Sequence, residues 1–239
     1  PGTYWLHALQ GVQAQRLLAA PLILRDPLEA GEDEQEIVLM LQDFTFRDPL
    51  EVQRELALGG GPDHKAPPPN DDPAAMTRLP VDAAPEAQAA EDDTCCTLGA
   101  SGGIRLNDVD YDAYLANDRT LADPQLHRVE PGGRIRLRVI NAAASTNFVL
   151  DLGAIEARVI AADGHPTMRI AGRRFPLALG QRLDLRLTLP AGQGAYPILA
   201  RREGDLAQAG IILATSGGSV RRLSERAETP GEVLDLTLD

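Results

Sequence analysis

Residues 129–144 read VEPGGRIRLRVINAAA. Pro131, Gly132 and Gly133 form a turn, and beyond it Ile135, Leu137 and Val139 alternate with Arg134, Arg136 and Arg138. That period of two marks a half-buried β-strand, apolar on one face and charged on the other. Residues 179–190, LGQRLDLRLTLP, repeat the pattern, with Leu183, Leu185, Leu187 and Leu189 on one face. Pro190 to Gly194 then turns the chain into AYPILA.

Shorter segments of the same kind surround these two. VLDLG (149–153), ARVIAADGHP (157–166) with a turn at Asp163-Gly164, and MRIAG (168–172) lie between them, and AGIILAT (209–215) is a short, wholly apolar strand. Short strands punctuated by Gly and Pro predict an all-β fold, a Greek-key sandwich or barrel. Upstream, DEQEIVLMLQDF (33–44) ends in a buried strand, and a short helix is expected over Asp48 to Leu58. Pro49 lies in its first turn, where a missing N–H costs little.

Residues 59–103 differ from both flanks. Met76, Leu79, Val81 and Leu98 are their only sizeable aliphatic side chains, and eight acids stand against Lys65 and Arg78, so half of the net charge of −12 lies here. Such a stretch cannot bury enough apolar surface to offset the entropy of ordering it, and it reads as a disordered acidic insertion. At 239 residues and 44% hydrophobic content the chain is long enough for a sizeable core. No apolar run nears the roughly 20 residues that span a bilayer. The negative charge, with no basic stripe to offset it, argues against nucleic-acid binding. Cys95 and Cys96 are adjacent, which fits neither a CxxC redox site nor paired zinc-ligand spacing, and they read as two loop thiols.

The first residues, PGTYWLHALQGVQAQ, hold the candidate chemistry. Read as a strand, Trp5, His7 and Leu9 share one face while Tyr4, Leu6 and Ala8 share the other. An HxH pair would aim two imidazoles at one metal; here the second position is Leu9, which has no lone pair to offer. His165, in the Asp-Gly-His-Pro turn, reads as a structural loop residue, and His64 and His127 read as solvated. No Ser-His-Asp or phosphate-loop pattern is present.

PGTYWLHALQGVQAQ followed by AAPLIL (19–24) resembles the end of the first cupredoxin domain of multicopper oxidases, where the pattern is GTYWYHSH, a Gln-containing turn, then GPLIV. The later order also resembles that family's second domain: Asp43-Phe44, AYLANDRT, PGGRIRLRVINAA, AADGHP and GQRLDLRL. The likeness is closest to the bacterial laccase-like and copper-resistance branch. It implies a cupredoxin-like Greek-key fold with residues 1–30 ending a first, partial domain, residues 31–215 forming a second, and residues 216–239 linking toward a third.

The resemblance further implies a fragment of a copper-dependent oxidase. The complete protein would couple one-electron oxidation of a phenol, amine or metal ion to four-electron reduction of O2 to water, with the remaining cupredoxin domains as intramolecular partners. Histidine nitrogen suits copper in both oxidation states. His7 takes the position of a ligand to a type 3 copper and Leu9 that of its partner ligand, while neither Cys95 nor Cys96 has the flanking histidines of the copper thiolate. The chain alone is expected to be inactive. A noncatalytic, degenerate cupredoxin-like scaffold is the alternative. Periplasmic or extracellular location is expected from the family.

Overall fold

The computed structural model describes residues 1–29, 31–58 and 109–233. The insertion expected at 59–103, with His64, Cys95 and Cys96, lies outside the described residues. The chain opens with strands β1 (Gly2–His7) and β2 (Ala19–Leu24), an antiparallel hairpin that pairs Thr3 with Ile23 and His7 with Ala19. This hairpin is a sheet of its own. A 3-10 turn at Pro27–Glu29 leads to β3 (Gln35–Phe44) and then to α1 (Pro49–Ala57). The Asp48 side chain caps that helix by accepting from the Leu50 N–H, and Pro49 opens it, as expected.

Ten further strands build the sandwich. They are β4 (Ala113–Ala116), β5 (Leu126–Arg128), β6 (Arg134–Asn141), β7 (Phe148–Asp151), β8 (Ala157–Ala162), β9 (His165–Gly172), β10 (Arg174–Leu177), β11 (Arg182–Thr188), β12 (Ala195–Arg202) and β13 (Gln208–Ala214). A six-stranded sheet runs β4-β3-β6-β11-β8-β9 and a five-stranded sheet runs β10-β7-β12-β13-β5. Between β3 and β6 the chain crosses to β5 in the other sheet and returns, which leaves β3 parallel to β6 and β5 parallel to β13. All other neighbours are antiparallel.

The apolar faces read from the sequence meet between the sheets. Ile37, Leu39 and Leu41 of β3, Ile135, Leu137 and Val139 of β6, and Leu183, Leu185 and Leu187 of β11 pack against Phe148, Leu150, Ile198, Ile211 and Leu213. Each such side chain contributes about 1.5–3 kcal/mol by leaving water, so this layer supplies the main driving force for folding. Two short strands escape sequence reading. β5 has three residues, too few to show a period, and β10 carries Pro176, tolerated because β10 is an edge strand. Within the region expected as a linker, residues 224–231 lie back along the β12–β13 turn. Gln208 N–H donates to the Glu225 carbonyl at 2.9 Å and Gly231 N–H to the Asp205 carbonyl at 2.8 Å.

The charged face of β6 departs from expectation. Strand alternation predicts solvated arginines, yet Arg136 is 9% exposed and Arg138 only 2%. The hairpin and the residues 25–29 and 31–36 cover this outer face of the six-stranded sheet, and that coverage shapes the site.

Candidate functional site

His7 is the last residue of β1 and its side chain is exposed. Trp5, two residues earlier on the same face, stacks on it with ring centroids 4.3 Å apart and planes at 25°, as the period of two requires. The His7 Nδ1 lies 3.4 Å from the Ala8 carbonyl oxygen. The alternation stops there: Ala8 N–H still donates to Leu18 O at 3.1 Å, but Leu9 lies past the strand in the connecting loop, 87% exposed. The expected sharing of a face by Trp5, His7 and Leu9 therefore holds for the first two only.

The other described histidines stand elsewhere. His165 opens β9, exposed. His127, expected to be solvated, is instead the middle residue of β5, and its Nε2 is buried without a hydrogen-bond partner among the described residues. Burial disfavours the charged imidazolium and lowers its pKa. Among the described residues, no three His, Cys, Asp or Glu side chains converge where they could hold a metal ion. One exposed imidazole beside an exposed leucine does not meet the ligand count of a copper centre, so the described residues alone do not fit one.

The built part of this region lies at the opposite end of β1. Burial along the strand falls from Gly2 and Thr3, both buried, to Leu6 and His7, both exposed. Thr3 is 1% exposed; its hydroxyl accepts from Arg138 Nη1 at 3.0 Å and donates to Asp184 Oδ1. Around that hydroxyl runs a line of alternating charge. Arg25 donates to Glu36 Oε1 at 3.0 and 3.1 Å, and Arg138 Nε to Glu36 Oε2 at 2.8 Å. Arg138 Nη1 reaches Asp184 Oδ2 at 2.5 Å, and Arg136 Nη2 reaches the same oxygen at 3.1 Å. Arg136 Nη1 also donates to Glu29, and Arg186 bonds Glu29 at 3.2 Å and Glu34 at 2.8 and 3.0 Å.

Four guanidiniums thus alternate with four carboxylates in the order Arg25, Glu36, Arg138, Asp184, Arg136, Glu29, Arg186, Glu34. The line is neutral, so Arg138 and Asp184, both 2% exposed, each lie against opposite charge away from water. Burial by itself would raise the pKa of Glu36, but Arg138 and then Arg25 outweigh it and hold it below the usual carboxylate value. Burial likewise opposes the charge on Arg136, yet Glu29 and Asp184 keep its pKa raised. Glu34 does the same for Arg186.

A second contact lies beside the first. The turn residue Gly164, at φ +82°, lies against the Tyr4 ring so closely that an added Cβ would sit 2.8 Å from it. GTYW and ADGHP, read from the sequence as separate motifs, are thus packed on one another. Sequence reading missed this seat because it treated the β6 arginines as a solvated face. The available signal was the acidic run Glu29, Glu32, Asp33, Glu34 and Glu36 leading into the start of a strand, with an arginine-rich strand elsewhere to receive it.

A family model described as multicopper oxidase matches residues 35–217. The multicopper oxidase MmcO of Mycobacterium tuberculosis (strain ATCC 25618 / H37Rv) is 31% identical over 222 residues, which cover 92% of this chain and 40% of that protein. Copper resistance protein A of Escherichia coli is 26% identical over 226 residues, covering 91% of this chain and 35% of its own length. The chain thus spans well under half the length of these curated relatives. Among solved structures, Fet3p, a multicopper oxidase that functions in iron import, superposes with a TM-score of 0.66 at 12% identity over 98% of this chain and 38% of that one. The laccase from Botrytis aclada gives 0.61 at 20% identity, over 96% and 38%. At those identities the two structures speak for the fold.

Proposed function

The chain belongs to the multicopper oxidase family, and from that premise we propose that it forms the second cupredoxin domain, with the closing hairpin of the first, of a laccase-like oxidase. Copper is the cofactor of that family. The complete protein would oxidise a phenol, an amine or a metal ion one electron at a time and reduce O2 to water, with its other cupredoxin domains supplying the remaining ligands. A periplasmic or extracellular site of action goes with this reading, as does the absence of a nucleic-acid partner at a net charge of −12.

The observation that carries the reading is the placement of His7. Its imidazole stands exposed at the end of a strand whose other end is buried, held in orientation by the Trp5 ring. A ligand supplied to a shared centre needs that combination of fixed direction and open access. What this chain's own residues do in that role is hold and orient one imidazole. Trp5 is the only tryptophan of this chain, and its emission reports on the packing around His7. In the product of the complete reading frame, copper loading should leave less bound metal in His7→Ala than in the wild type, read by metal analysis. The activity itself is tested by O2 consumption with a phenolic donor, using the product of the complete reading frame loaded with copper; no consumption there refutes the oxidase assignment. Leu9 favours a second reading, a noncatalytic scaffold, because a solvent-facing leucine occupies the partner-ligand position. Equal bound copper in the complete protein and its His7→Ala variant would select it.

A further inference from the structure

We propose that Thr3, Arg138, Asp184 and Gly164 form a dock that sets the attitude of the β1–β2 hairpin on the sandwich, making them positioning residues for His7. The link to His7 rests on the reading just given; the dock itself does not.

A two-stranded hairpin is marginal in water by itself, and this one offers little apolar cover among the described residues: Leu6, Leu22 and Leu24 are 60%, 37% and 48% exposed. Among the described residues, its hold on the sandwich lies where it is buried, at Gly2 to Tyr4. Two contacts of different kinds meet there. The Thr3 hydroxyl is threaded between Arg138 and Asp184, accepting a hydrogen bond from the first and donating one to the second, which fixes both its position and its rotamer. The Tyr4 ring covers Gly164, where any side chain would collide. Arg182 adds a bond from its Nε to the Thr3 carbonyl at 3.4 Å.

His7 lies four residue steps beyond Thr3 along an extended strand, a lever of about 13 Å. A tilt of about 10° at the dock would swing the imidazole by about 2 Å, on the order of twice the misplacement that already costs a catalytic constellation a hundredfold. A polar anchor suits this task better than an apolar one, since the Thr3 hydroxyl is satisfied in one orientation and an apolar contact tolerates sliding.

The test compares the wild-type chain with Thr3→Val, Thr3→Ser and Gly164→Ala, using amide hydrogen exchange together with acrylamide quenching and anisotropy of Trp5. Thr3→Val keeps the shape and removes the hydroxyl, leaving the sandwich core untouched; Gly164→Ala drives a methyl into Tyr4. Both should raise exchange over Gly2–His7 and Ala19–Leu24 by about tenfold or more, lower Trp5 anisotropy, and leave β6 and β11 amides at wild-type rates. Thr3→Ser should restore wild-type behaviour. Unchanged hairpin exchange in Thr3→Val overturns the dock, as does an equal rise in β6 and β11, since that would mean general destabilisation. If Gly164→Ala fails to fold, the Thr3 pair decides. Bound copper in the complete protein and in its His7→Ala variant is read separately: equal metal content refutes the His7 reading and leaves the exchange result to judge the dock.

Discussion

Replacing Arg138 by methionine, Asp184 by leucine, and then both, separates the cost of an unpaired buried charge from the worth of the ion line. Each residue is 2% exposed. Asp184 alone satisfies three donors: the Thr3 hydroxyl, Arg136 Nη2 at 3.1 Å and Arg138 Nη1 at 2.5 Å. Asp184→Leu therefore leaves two guanidiniums facing an apolar side chain, and Arg138→Met leaves Glu36 and Asp184 short of their shared cation. Each single change should cost about 3–5 kcal/mol, the usual consequence of removing one partner from a buried pair. The double variant removes one charge of each sign from adjacent positions in the line. What remains, Arg25 with Glu36 and Arg136, Arg186 with Glu29 and Glu34, is still neutral. It should lose less than either single variant, which corresponds to a favourable coupling of more than about 3 kcal/mol. Urea unfolding read by linear extrapolation measures all four species, and slopes must agree for the comparison to stand. Additive losses, with the double variant worse than both singles, would refute the account of an interlocked neutral line.

Three further expectations follow from particular side chains. Asp43 is 5% exposed and accepts from Ala144 N–H at 2.8 Å, Ser145 N–H at 3.0 Å and Thr146 Oγ1 at 2.8 Å; Asp43→Ala strands those donors and should cost about 2–4 kcal/mol in urea unfolding, and a loss within error of zero would show that water replaces the carboxylate. Because the pKa of Glu36 is lowered in the folded state, its contribution is fully present above the ordinary carboxylate value and lost as pH falls through the lowered one, while the lowered pKa of His127 removes stability as pH falls below its ordinary value of about 6.5. Thermal melts from pH 7 downward should thus decline in two stages, and His127→Leu should flatten the first and leave the second; an unaltered first stage sinks the assignment. In the protein encoded by the complete reading frame, Leu9→His should raise bound copper in metal analysis, and equal copper in wild type and variant would show that this position does not complete a ligand pair.

The all-β class, the helix cap at Asp48 and most strands could be read locally, because period-two alternation and Gly or Pro turns act over a few residues. Leu183, Leu185 and Leu187 need no tertiary information to declare an apolar face. The histidine on a GTYW strand was legible in the same way, as was its leucine neighbour, since identity and spacing are properties of the chain. What the sequence left undecided was which polar face would be covered. Arg138 and Arg134 look alike in RIRLR, yet Arg138 is among the most buried side chains and Arg134 remains half-exposed, bonded to Glu32 at 3.1 Å. The difference arises because β3 runs parallel beside β6 and brings the acidic residues before it onto that face, while the hairpin lays Thr3 over Arg138. Burial of this charge depends on counter-charges that arrive from 46 residues away, in Asp184, and 102, in Glu36. Alternation can therefore fix a strand and its faces, but only the tertiary structure decides that the charged face of this strand became the seat of the histidine-bearing hairpin.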